Sequence, residues 1–174
     1  MNVLATPIGV VVAIKDNCGY AMTTRPIKTD ISWSIESVNT GTFQSSDWQS
    51  AIKDFDVSGN MTKIIQTGNA STYPAAYAAL NYAPSAIPTS KGKWALPTAG
   101  ILNSLYRNLN AVNNTISKLS GTQLTNDNEH IWSSSGGSSN STWVFCTGDG
   151  SSQGGVYYYD KAPSRNAVRP VIAF

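Results

Sequence analysis

Apolar positions follow three spacings along the chain. Ile8 to Ile14 is a β-branched run of strand length, closed by Lys15-Asp16-Asn17, and Gly19 to Thr23 reads as its hairpin partner. The middle of the chain then changes to helical spacing. Ser46 offers an N-cap ahead of Trp48, Ile52 and Phe55, which recur at i, i+4 and i+7. A short helical turn is expected around Met61, Ile64 and Ile65. Thr72 can cap a helix with Pro74 in its first turn and Ala75, Ala76, Ala78, Ala79 and Leu80 behind it. Those small side chains suit a helix lying close against a sheet. Thr98 is a clear N-cap for the stripe Ile101, Leu102, Leu105, Tyr106 and Leu109. Val112, Ile116 and Leu119 continue it as a helix from near Asn110, with Gly121 at its C′ position. These stripes are read as core.

After His130 the pattern becomes period two. Trp143 to Thr147 and Val156 to Asp160 each have strand length, and Val168 to Phe174 is a terminal strand that Pro170 interrupts, as suits an edge or bulge. Strands at both ends with helices between predict one α+β domain over residues 1–174, its terminal strands paired in one sheet.

Composition narrows the function classes. Only 13% of residues are charged, about half the usual share, and Lys+Arg 12 against Asp+Glu 10 leaves a net charge of +2. With no basic cluster there is no footprint for nucleic acid or an anionic membrane, and no apolar run approaches a membrane span. The apolar N-terminus, Met1 to Ile14, lacks a basic leader and reads as a strand instead of a signal peptide.

Candidate chemistry is sparse. His130 is the only histidine, so a His-rich zinc site is impossible and any Ser-His-Asp mechanism would run through that residue. Cys18 and Cys146 are read as free thiols, with a bridge as the lesser alternative. Asp54-Phe55-Asp56-Val57-Ser58-Gly59 matches half of a calcium loop, but Ile65 stands where the bidentate Glu is needed, so it reads as an acidic turn before a helix. Gly148-Asp149-Gly150 has glycines but neither a phosphate-binding lysine nor a following helix. No catalytic residue, metal site or cofactor is expected, and the chain is read as a non-enzyme.

A binding surface is the better-supported class. Trp132 to Gly155 is dominated by Ser and Gly and carries Asp149 as its one acid. Strand alternation puts Trp143, Phe145 and Thr147 on one face and Val144 and Cys146 on the other. It likewise separates Val156 and Tyr158 from Tyr157 and Tyr159. One face of each strand can serve the core, while the other shows tyrosine among small polar residues, the mix that paratopes use. A plain Ser/Gly-rich loop with its tyrosines packed inside fits the same composition.

Several motifs in order resemble one large family. They are Trp94-Ala95-Leu96-Pro97 before a capped helix, Ile131-Trp132-Ser133-Ser134-Ser135, Trp143-x-Phe145, and Val168-Arg169-Pro170-Val171-Ile172-Ala173-Phe174. Pro7 to Val11 as opening strand, Asp56 to Ile65, and Ala75 to Tyr82 fit as well. The family has the C-type lectin fold and includes bacterial lectin-like adhesin domains, formylglycine-generating-enzyme-like domains and the variable proteins of diversity-generating retroelements.

The resemblance implies a small antiparallel sheet with paired termini, two to four helices and a loop-rich C-terminal half. It implies a ligand-binding protein on a virion or cell surface, facing a protein or glycan receptor on a host or partner cell, with a variable region over about 130–174. By position, the displayed set it implies is Ser135, Gly136, Gly137, Asn140, Ser141, Val144, Cys146, Tyr157, Tyr159, Asp160, Arg165, Asn166 and Ala167. The implied framework is Trp132, Trp143, Phe145, Arg169 and Pro170. Gly148 to Gly155 is longer than the family's usual turn. The calcium-and-sugar motifs of animal C-type lectins are absent, and Cys18 and Cys146 do not reproduce the cysteine pair of formylglycine-generating enzymes. A fixed-sequence lectin-like adhesin module is the alternative; an enzyme of the formylglycine-generating type ranks last.

Overall fold

The structure, a computed structural model, describes residues 6–37, 39–125, 129–148, 154–162 and 164–174. It is a mixed α+β arrangement of two small sheets with helices packed on them. The first residues of the apolar N-terminus and residues 149–150 of the Gly-Asp-Gly motif lie outside the described residues.

β1 (Val10–Lys15) and β2 (Cys18–Met22) form the expected hairpin, with Lys15 opposite Cys18. Asp16 and Asn17 make the two-residue turn, both with positive φ (49° and 62°), a region that short polar side chains tolerate best after glycine. The end of the chain closes the same sheet. β8 (Val171–Ala173) pairs antiparallel with β2, giving the order β1-β2-β8. Beyond β8, Phe174 exchanges two backbone hydrogen bonds with Gly19. A Cβ on Gly19 would stand 2.4 Å from the Phe174 ring, so only glycine lets the ring lie there.

The second sheet has five strands in the order β3-β7-β4-β5-β6, built from β3 (Lys28–Ile31), β4 (His130–Gly136), β5 (Ser141–Cys146), β6 (Gly155–Asp160) and β7 (Asn166–Val168). It is antiparallel except where β4 and β7 run parallel. From residue 130 onward the described chain is largely strand. Pro170 sits where the chain leaves β7 for β8; it has no N–H to place, and its carbonyl accepts from Thr23.

Five α-helices occur among the described residues, where two to four were expected. α1 (Trp48–Ala51) is only one turn, capped by Asp47 instead of Ser46, because the Asp47 carboxylate accepts from the Ser50 N–H at 2.8 Å. Phe55 thus lies beyond it. α2 spans Val57–Thr67, and α3 (Pro74–Leu80) starts behind Tyr73, not Thr72. α4 (Ala99–Arg107) begins at Thr98 as expected, with the Ile101 N–H donating to its hydroxyl. α5 (Leu109–Lys118) follows at once through Asn108. Its C′ residue is Ser120 (φ 54°), not Gly121. Gly121 comes next and donates to the Ile116 carbonyl, and a Cβ there would meet the Thr24 carbonyl oxygen at 2.6 Å.

Two cores result. One joins Val10, Val12, Tyr20 and Met22 to Ile101, Leu102, Leu105, Val112, Ile116, Trp143 and Phe145. The other gathers Trp33, Met61, Ile64, Tyr73, Ala75, Ala76 and Ala79 around Trp132, Val144 and Val168. β5 supplies both, so the five-stranded sheet is covered on both faces along its middle.

A candidate binding face on the outer strand of the larger sheet

The framework positions are buried. Trp132, Phe145 and Arg169 are inaccessible and Trp143 nearly so. The indole N–H groups of Trp132 and Trp143 donate to the carbonyls of Ile31 (2.7 Å) and Ser45 (2.9 Å). The Arg169 guanidinium pairs with both Glu129 carboxylate oxygens (2.6 and 2.9 Å) and donates to the carbonyls of Thr24 and Thr122. A buried charge held this way locks the start of β4 to the link between the sheets.

The thirteen positions of the displayed set divide. Seven are buried: Ser135, Gly136, Gly137, Ser141, Val144, Asn166 and Ala167. Ser135 ties elements together, its hydroxyl donating to Asp54 Oδ2 (2.5 Å) and accepting from the Ala99 N–H at the start of α4 (2.8 Å). The same Asp54 carboxylate accepts from Asn60 Nδ2 and the Asp56 N–H, so the acidic turn is a buried structural knot. A Cβ on Gly136 would meet Gln44 at 3.0 Å; one on Gly137 would meet Ser141 at 2.9 Å. Val144 lies in the second core, which alternation could not foresee because it assumed one free face on β5. Asn166 and Ala167 sit in β7, between β3 and β4. Burial takes these seven off the solvent face.

Asn140, Tyr157, Tyr159, Asp160 and Arg165 are exposed, and Cys146 is half-buried. Arg165 is apart from the others: it donates to the Asp30 carbonyl at 2.9 Å, beside β3 at the opposite edge. The rest collect around β6. Ser141 stands opposite Asp160, and the Lys161 N–H donates to the Asn140 carbonyl. Tyr157 is 44% exposed and Tyr159 36%. Tyr158, assigned by alternation to the other face, is 55% exposed, because β6 is the last strand and both of its faces reach solvent. The Tyr158 ring meets Trp143 edge-on (centroids 5.3 Å apart, 76°), and the Tyr159 ring lies 4.9 Å from that of His130. Burial lowers the pKa of His130, which favours a neutral imidazole beneath the tyrosine.

Three contributors escaped the sequence reading. Lys161 is fully buried, with Nζ donating to the carbonyls of Ser138 and Ser139 (3.2 and 3.1 Å) and standing 4.6 Å from the centre of the Trp33 ring. Burial pushes its ammonium down to about 8. The second and third are Trp48 and Tyr106. With Asn103 and Ser46 they face β6 across a groove of ≈ 550 Å³ that also touches Gly154 to Tyr158. The other four tryptophans are buried and donate through their indoles, whereas Trp48 is 42% exposed and its indole N–H has no acceptor among the described residues. Its place beside an N-capping Asp on a one-turn helix was the available signal.

Cys18 and Cys146 are free thiols. Among the described residues, no group of three His, Cys, Asp or Glu side chains is placed to hold a metal ion, and no helix is long and apolar enough to cross a membrane. Compared with models of known protein families, with curated proteins and with solved structures, the chain matches none.

Proposed function

We propose that the chain is a ligand-binding protein on a C-type lectin scaffold, of the kind diversified by a retroelement, which engages a protein or glycan receptor from a virion or cell surface. The observation that carries this reading is the run Tyr157-Tyr158-Tyr159, solvent-exposed on an outer strand whose neighbours are locked by buried Trp132, Trp143, Phe145 and Arg169. Exposed tyrosines on a rigid support supply large amphipathic contact area at small entropic cost. Asn140 and Asp160 add adaptable polar contacts beside them.

Sequencing the complete flanks of the gene tests the retroelement part. A reverse transcriptase gene and a near-copy of the 3′ end differing at adenines are expected. Intact flanks without either would contradict it.

A fixed-sequence adhesin module is the second reading, and one observation favours it: burial of seven of the thirteen positions leaves few that tolerate replacement. The enzyme reading stays last, since Cys18 and Cys146 stand unpaired in different sheets.

A further inference from the structure

The groove beside β6 touches five consecutive residues, Gly154 to Tyr158. Alternate side chains of a strand point to opposite faces, so a groove that meets every residue in turn reaches the main chain of β6 as well as the face that Tyr158 shares with Trp143 of β5. The phase of the ladder shows which groups are offered there. The Lys161 N–H donates to the Asn140 carbonyl at 2.9 Å, and the register 155–160 against 141–146 continues without a shift. Gly155, Tyr157 and Tyr159 therefore exchange hydrogen bonds with β5, while Val156, Tyr158 and Asp160 turn their N–H and C=O outward. Those outward groups have no partner among the described residues, and β6 ends the sheet.

Natural edge strands are blunted by lysine, proline, bulges or a covering element. β6 has the sequence Gly-Val-Tyr-Tyr-Tyr-Asp, with no lysine, proline or register shift and one terminal charge, and no described strand pairs with its outer edge. Among the described residues the groove walls carry no charged side chain: opposite the strand stand Trp48, whose indole N–H has no acceptor there, and Tyr106.

We propose that this edge takes an uncharged, extended segment of a partner polypeptide as a sixth strand. Main-chain hydrogen bonds to Val156, Tyr158 and Asp160 fix its register, and the Trp48–Tyr106 wall receives one of its large apolar side chains. The inference deepens the binding-face reading and rests on it.

The test is to pan the intact chain against displayed random peptides about twelve residues long, then follow amide hydrogen exchange with the enriched peptide and with a copy N-methylated along one edge. The Val156, Tyr158 and Asp160 amides are expected to slow roughly tenfold or more, with Tyr157 and Tyr159 unchanged and the N-methylated copy not binding. No enrichment, or enriched peptides that leave those three amides unaltered, overturns the proposal. So does protection in the free chain that disappears on dilution, which would assign the edge to a second copy. If this fails while Tyr157→Ala and Tyr159→Ala still weaken receptor binding, only the strand-pairing mode is lost; if both fail, the binding face is lost.

Discussion

The Lys161 ammonium stands over the Trp33 ring, 4.6 Å from its centre, and both side chains are buried. From there it reaches the carbonyls of Ser138 and Ser139, so a charge inside the protein holds the turn between β4 and β5 next to Asn140. The sequence pattern gave no hint of it, because Lys161 follows Asp160 at the end of a strand where a solvated lysine is the ordinary expectation.

This pair sets a pH dependence. The amine titrates near 8 in the folded chain and at 10.5 when unfolded. Between those values the unfolded chain binds a proton that the folded chain does not, so stability rises with pH, and below about 8 the full burial penalty applies. Above 10 an opposing slope begins, since burial pushes the Tyr20 phenol up to about 12. Urea unfolding at intervals from pH 8 to 10 is expected to show increasing stability that Lys161→Met flattens. Equal slopes in the two proteins would contradict the assignment.

Ser135 is predicted to be structural. Ser135→Ala leaves the Ala99 N–H without its acceptor and removes a donor from the buried Asp54 carboxylate. A loss of about 1.5–3 kcal/mol in urea unfolding is expected, with ligand affinity unchanged. An affinity loss at unaltered stability would return Ser135 to the binding face.

The tryptophan frame should tolerate little. Trp132→Ala and Trp143→Ala each open a cavity and orphan a backbone carbonyl, so roughly 3–5 kcal/mol is expected by equilibrium unfolding, enough to unfold a marginal domain. Near-native stability in either variant would show that the outer strands do not depend on it.

The tyrosines should behave in the opposite way. Tyr157→Ala and Tyr159→Ala are expected to weaken binding of the selected ligand by about 1–3 kcal/mol each in a calorimetric titration, as aromatic hot spots do. Melting temperature should change little, because neither residue belongs to either buried core. Melting of either variant would mean that the ring is holding the sheet edge together.

The fold was legible where local signals were strong. The Asp16-Asn17 turn, the Thr98 cap and the return of the chain end to β2 all follow from residues adjacent in sequence or from plain apolar runs. What failed was tertiary. Alternation separates the faces of β5 but does not encode that both are covered, and Val144, on the face it leaves for display, packs with Trp132 and Val168 in the second core. Glycines 136 and 137 look permissive in a Ser/Gly-rich stretch, yet Gln44 and Ser141 close over them. The spacing of Trp48 with Ile52 and Phe55 is that of a helical core stripe, whereas the helix stops at Ala51 and leaves the ring at the groove. Each miss is a contact between elements far apart in sequence, which periodicity does not encode.

The most direct test of the division between face and frame is to sequence the 3′ third of the gene from many clones of one population. Replacements are expected to concentrate at the codons of Asn140, Tyr157, Tyr159 and Asp160, with Trp132, Val144, Phe145 and Arg169 constant. Clones that are invariant at the exposed tyrosines, or that vary as freely at Val144 as at Tyr157, would contradict it.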